Sequence, residues 1–307
     1  MVNDIMNFKI KPVPPFDFEL STKIFLNDNE IAKFENNKFE HLITLKNTPL
    51  LLEIESMGTV HKPELSLTLQ SDTDISDENA QLAVNTVKKM FNLDFDLEPF
   101  YNDSQQDNIL SKLIPQLIGL RSPVTASVFE SLVSTIIEQQ ISLIVAKNSE
   151  RKMIKRFGST LKREGHNYYA YPTPKQLNNV SIHELKECGL TLRKTEYIKS
   201  IAESIETGVL DLEKFKDYTD NQKIIDELCE IRGIGLWTAE FVLIRGLSRP
   251  EAFPADDIGI RRIISHFYCD DKKISNPEAR LIAEKWGKWK GLASYYLVMA
   301  EMLDIKI

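Results

Sequence analysis

Cross-links, membrane spans and bulk positive charge are what this 307-residue chain has little of. Its three cysteines, Cys188, Cys229 and Cys269, stand far apart and are odd in number. That argues against a disulfide framework and for a reducing compartment. No apolar run approaches the roughly 18 residues that span a bilayer. The opening stretch, MVNDIMNFKIKPVPP, holds no charged segment leading into an apolar one, so a cytoplasmic location is expected. No cluster of His, Cys and Asp has transition-metal spacing. Basic residues are outnumbered, 38 Lys and Arg by 45 Asp and Glu, for a net charge of −7. Attachment to nucleic acid by bulk charge is thereby disfavoured. The deficit is local: residues 1–105 carry 9 basic against 18 acidic side chains, and the remainder is nearly neutral.

What is present divides the chain in two. A length of this order supports two or three compact units. In the first third, residues 41–46 and 50–56 are β-rich runs around Asn47-Thr48-Pro49, a hairpin signal. Residues 64–70 alternate Leu65, Leu67 and Leu69 with Ser66 and Thr68, which predicts a half-buried strand. Ser76 or Asp77 then caps a helix through Ala83, Val84, Val87 and Met90. From Asn108 onward strand signals vanish. Helices are expected over 129–137, from Ser142 to Gly158, over 181–188 and over 194–207, with Pro172-Thr173-Pro174 as a loop. The helix from Ser142 carries Lys147, Arg151, Lys152, Lys155 and Arg156, a series that suits a solvated face and a phosphate-contacting face equally. The expected fold class is an α+β N-terminal domain, residues 1–106, followed by a mainly α-helical region, residues 107–307.

The stretch 228–262, LCEIRGIGLWTAEFVLIRGLSRPEAFPADDIGIRR, organises the rest. Gly233 and Gly235 bracket Ile234 between two apolar-periodic segments, one with Ile224, Ile225 and Leu228, the other with Ala239, Val242 and Leu243. Glycine permits a tight reversal there, and the bare N–H groups at the start of the second helix form an anion site. Some twenty residues on, Pro254 precedes the acid pair Asp256 and Asp257 and a helix starting near Asp256. Taken alone, such a pair reads as helix N-terminal partners, with Asp256 as the N-cap.

The GIGxWTA run, the FPADD run and their spacing resemble the helix–hairpin–helix DNA glycosylases, and among them the 3-methyladenine DNA glycosylase II group. PPFDF from Pro14, FESLVSTIIEQQIS from Phe129, YPTPKQL from Tyr171 and AEKWGKWKGLASYYL from Ala283 extend the resemblance over almost the whole chain. It implies a twisted antiparallel sheet with helices, then a bilobal helical domain. The central lobe would cover about 127–248, with the hairpin at about 222–245. The second lobe would combine 107–126 with 249–307. It also implies a monomer acting on double-stranded DNA that carries a damaged base, in association with the nucleoid. Three cysteines cannot supply the four-cysteine iron–sulfur loop of some relatives.

Residue by residue, the resemblance makes Asp257 the catalytic aspartate, with Asp256 its neighbour. Breaking an N-glycosidic bond builds positive charge on the sugar, and a carboxylate beside it stabilises that charge and orients water. Trp237 stands where bifunctional relatives carry a nucleophilic lysine, so the expected enzyme is a monofunctional hydrolase. Trp237 and Phe241, four apart on one helix face, would form the base pocket, because a cationic alkylated purine is attracted to aromatic faces. Gln140 would enter the gap left by the flipped nucleotide. Gly233 and Gly235 would grip a phosphate through backbone N–H groups. The carbonyls of Cys229, Ile231 and Ile234 would hold a Na+ or K+ ion, with no other cofactor required.

Three departures bear on base preference: Val298 stands at a position read as a pocket tryptophan in that group, Ile258 at one read as an aromatic, and Glu138 at one read as glycine. The expected substrates are alkylated purines, 3-methyladenine first. Oxidised or deaminated purines are the alternative within enzymes, and a non-catalytic helix–hairpin–helix DNA-binding protein is the alternative outside them.

Overall fold

The computed structural model describes residues 4–28 and 31–307, with side chains outside 26–28. Strands β1 (Asp4–Ile10), β2 (Ala32–Glu35), β3 (Lys38–Leu45), β4 (Thr48–Ser56) and β5 (Leu65–Ser71) form an antiparallel sheet in the order β1-β5-β4-β3-β2. The β3–β4 turn lies at Lys46 and Asn47, with φ of 46° and 67°. It falls one residue before the expected Asn47-Thr48-Pro49, and Thr48 already pairs with Leu45. Asn36 and Asn37, with φ of 52° and 63°, make a second two-residue reversal between β2 and β3. Both backbone positions favour asparagine, which tolerates the left-handed region.

Period-two alternation decides what each sheet face covers. Leu50, Leu52 and Ile54 of β4 and Leu65, Leu67 and Leu69 of β5 pack on one side against Ala80, Ala83, Val87 and Met90. Those four lie on the Asp77–Met90 helix, whose N-cap Ser76 accepts from the Asn79 N–H. Leu42 and Leu51 point the other way and meet Leu161, Tyr168 and Ala170. Leu161 and Tyr168 belong to a small hairpin, β6 (Thr160–Arg163) and β7 (His166–Tyr169). This hairpin corrects the expectation that strands end before Asn108. Four-residue strands with one buried side chain each leave almost no periodic signal.

The remaining chain is helical and gathers around two further cores. One is built by residues between Val128 and Ala252. The other joins Leu97, Phe100, Leu110, Leu113 and Leu117 to Phe253, Trp286, Trp289, Leu292 and Tyr296. Leu97 and Phe100, placed by the sequence within residues 1–106, therefore contribute to a helical core. Arg121, 1% exposed, stitches the units: its guanidinium donates to the carbonyls of Asn92 (2.7 Å), Val13 (2.5 Å), Pro15 (3.2 Å) and Phe95. Burial lowers its pKa to about 10. Among the described residues, no helix is long and apolar enough to cross a membrane.

Candidate active site

Three segments converge on the site. The first is the Val128–Glu138 helix and the loop behind it. Its N-cap Ser127 accepts from the Glu130 N–H, and its C-terminal carbonyls are covered by a lysine. Lys194 Nζ donates to the carbonyls of Ile137 (2.8 Å) and Gln139 (2.6 Å), and burial lowers its pKa. A helix end left without partners costs free energy, so this amine has a structural task. Gln139 Nε2 donates to the Gly233 carbonyl and to Thr238 Oγ1, both at 3.0 Å. Gln140 follows, exposed, in the left-handed region at φ 57°. Exposed Ile141, Leu143, Ile144 and Val145 flank it. In the basic series behind them, Lys147 lies 2.8 Å from Glu150 and Arg156 lies 2.6 Å from Glu187.

The second segment is the helix–hairpin–helix, Asn221–Cys229 and Leu236–Arg245. Gly233 has φ 91°, and a Cβ there would sit 2.4 Å from ring carbons of Tyr197. Both backbone and packing therefore exclude a side chain. Gly235 is exposed and is the N-cap of the second helix, with open space where a Cβ would stand. The Ile234 N–H donates to the Ile231 carbonyl at 3.0 Å. The turn thus brings Cys229, Ile231 and Ile234 into one reversal, and a carbonyl that accepts one bond retains a second lone pair.

The third segment brings the acid. Asp257, not Asp256, is the N-cap of the Ile258–Tyr268 helix, and its Oδ1 accepts from the Ile260 N–H at 2.9 Å. Its Oδ2 accepts from the Trp237 indole N–H at 3.1 Å. Asp256 points elsewhere, to Asn276. Sequence reading missed the Trp237–Asp257 bond, because residues 20 apart become neighbours only when the two helix N-termini meet.

Trp237 and Phe241 lie ring to ring, centroids 4.8 Å apart and tilted by 67°. One face of Phe241 is already covered: the Arg245 guanidinium lies 4.3 Å from its centroid. Arg245 also bonds Glu138 at 2.5 Å, and Lys147 stands 3.8 Å from the same carboxylate. Deeper along the Val128–Glu138 helix, burial and the nearby Glu150 push Glu130 up to about 8. On the hairpin helix itself, burial raises Glu240 to about 7, although Arg280 lies 3.0 Å away.

Asp257 with its two N–H donors, the Trp237 indole that is one of them, and the glycine turn two residues before Trp237 form a single connected unit. Residues 133–288 match the model of the HhH-GPD superfamily of base excision DNA repair proteins. The chain belongs to that superfamily. The DNA-3-methyladenine glycosylase of Bacillus subtilis is 28% identical over 96% of this chain and 97% of its own length. The 3-methyladenine DNA glycosylase of Archaeoglobus fulgidus superposes with a TM-score of 0.85 at 26% identity, covering 98% of this chain and 100% of that one. An 8-oxoguanine glycosylase/lyase of Clostridium acetobutylicum, in complex with double-stranded DNA, shares the fold at a TM-score of 0.72 and 22% identity, over 98% and 99% of the two chains. This HhH-GPD chain is accordingly an enzyme of the N-glycosylase class.

Proposed function

We propose that this protein is a monofunctional base-excision glycosylase that removes alkylated purines, 3-methyladenine first, from double-stranded DNA. The observation that carries the reading is the bond between Trp237 Nε1 and Asp257 Oδ2. A carboxylate at the N-cap is directed by that indole, and an indole cannot form an imine with the sugar. Two relatives whose names specify 3-methyladenine support the substrate class.

In the mechanism, the damaged nucleotide leaves the stack and Gln140 takes its place, offsetting part of a flipping cost of a few kcal/mol. Backbone N–H groups at Gly233 and Gly235 hold a phosphate beside the lesion. Carbonyls of Cys229, Ile231 and Ile234 would hold a Na+ or K+ ion, which would supply positive charge near that phosphate. The C1′–N bond breaks with its electron pair passing to the purine. A purine that is cationic through alkylation leaves as a neutral base and needs no separate acid. The Asp257 carboxylate stabilises the sugar cation, orients water toward C1′ and takes the proton that the water loses. The product is a free base and an unbroken strand with an abasic site. The protein acts as a monomer in the cytoplasm.

The test is incubation with methylated duplex DNA and, separately, with duplexes carrying 8-oxoguanine or hypoxanthine, chromatography of released bases, and borohydride in a parallel reaction. Release of 3-methyladenine with strand breaks only after alkali is expected. Borohydride trapping of the wild type at the rate of base release overturns the monofunctional reading. Release of only oxidised or deaminated purines overturns the substrate.

A further inference from the structure

A pocket built to receive a cation normally leaves its aromatic face bare, and here that face is occupied. Arg245 is the last residue of the Leu236–Arg245 helix, and its carbonyl accepts from the Thr125 N–H at 2.8 Å and from Thr125 Oγ1 at 3.2 Å. The backbone is thus tied down while the side chain remains 36% exposed. Its guanidinium stacks on Phe241 and pairs with Glu138, whose side chain is only 9% exposed. A carboxylate so buried is costly without a partner. Lys147, at 3.8 Å, is shared with Glu150 at 2.8 Å and does not replace a direct bond.

Two attractive contacts therefore hold one positive group over the Phe241 ring, which is itself 7% exposed. We propose that Arg245 is a resident cation exchanged for the substrate. On this view, which rests on the function proposed above, a cationic alkylated purine takes Arg245's place on the Phe241 ring and against Glu138, and Arg245 swings to solvent. The exchange conserves charge: Glu138 stays paired and Phe241 keeps a cation on its face. A neutral purine that expels Arg245 forfeits both contacts and leaves Glu138 with Lys147 alone. Discrimination for charged lesions then comes from what the incoming base must replace, as well as from its own attraction to aromatic rings.

The experiment compares kcat/KM for 7-methylguanine, which is cationic in DNA, with that for hypoxanthine, which is neutral. Wild type, Glu138→Gln, Arg245→Met and Arg245→Lys are each tested on duplexes of one sequence. Glu138→Gln should lower the 7-methylguanine value by about tenfold or more while changing hypoxanthine less than threefold, with the loss mainly in KM. Arg245→Met should raise hypoxanthine excision severalfold and narrow the ratio. Arg245→Lys should restore most of the ratio, since a second cation refills the site. Equal losses on both substrates in Glu138→Gln, or no change in the ratio in Arg245→Met, overturn the exchange. If the wild type excises neutral lesions and no methylated purine, the proposed function itself fails. Methylated-purine excision with an unchanged ratio in the variants sinks only the exchange.

Discussion

The two ends of the Leu236–Arg245 helix each place an aromatic ring beside a carboxylate, and they treat the carboxylate in opposite ways. At the N-terminal end, Asp257 is held by two neutral N–H donors, the Trp237 indole and the Ile260 amide. At the C-terminal end, Glu138 is held by Arg245 at 2.5 Å, with Lys147 at 3.8 Å. Neutral donors fix an acid in place and leave its charge uncancelled, which suits a group that must face a sugar cation. Ion pairing cancels the charge until something positive arrives, which suits selection. Glu130, about two turns back from Glu138 on the same helix, is a third case: burial keeps its proton to about pH 8. The difference teaches that the surroundings of each acid, more than its residue type, set the role proposed for it.

The strongest break of the comparison is Asp257→Asn. The amide keeps the shape and loses the charge, so single-turnover base release should fall by about a thousandfold or more while duplex binding persists. A rate within tenfold of wild type removes Asp257 from the chemistry.

Next is Trp237→Phe, which preserves a ring and deletes the indole N–H. A hydrogen bond to a charged group contributes about 1.5–3 kcal/mol, so kcat should drop by roughly 10- to 100-fold. An unchanged kcat with a raised KM would make Trp237 a wall of the base pocket and nothing more.

A smaller effect is expected at the hairpin between the two ends. Gly233→Ala meets the Tyr197 ring and holds an unfavourable φ of 91°, a strain of about 1–3 kcal/mol. Relief of part of that strain shifts the hairpin, so duplex binding should weaken by about 5- to 10-fold on every sequence alike, and Tyr197→Ser in the same chain should recover part of it. Loss confined to one lesion would contradict a phosphate grip. Because backbone amides carry that grip, the salt dependence of binding should be shallow in wild type and variant.

The smallest effect concerns Glu130. Its folded pKa of about 8 lies above the ordinary value of 4.5, so the unfolded chain loses the proton first. Stability should therefore decline as pH rises from about 4.5 to 8 and level off above that. Glu130→Gln has no proton to lose, and its melting temperature at pH 8 should exceed that of wild type by a few degrees while matching it at pH 4.5. Parallel melting curves across that range would return Glu130 to the ionised acids.

Elements with a strong period or a cap were legible in the sequence. The Ser76 cap, the Gly158 stop and the alternation of Leu65, Leu67 and Leu69 act locally, and the helices and strand stand within two residues of expectation. The β1 strand, the Asn36-Asn37 reversal and the β6–β7 hairpin were not read. Glu164 and Gly165 turn with φ of 49° and 84°, and glutamate there gives little warning of a left-handed turn. In the candidate site, residue identities were visible while their pairings were not. Asp257 displaces Asp256 as N-cap, Lys194 closes a helix end, and Arg245 covers Phe241. Each depends on segments far apart in the chain meeting in space, and single-residue preference carries no trace of that.

The core that joins Leu97–Leu117 side chains to Phe253, Trp286 and Tyr296 has a consequence for synthesis on the ribosome. The sheet domain and the central lobe are each nearly continuous in sequence and complete themselves as they emerge. Leu97, Phe100, Leu110 and Leu113 emerge early and lack Phe253, Trp286, Trp289 and Tyr296 until the last fifth of the chain follows. At about 5–20 residues per second, that interval lasts roughly ten to thirty seconds. During it the nascent protein carries an uncovered apolar strip beside a finished sheet, which makes this junction the place where a trigger chaperone or a slow codon would change the yield.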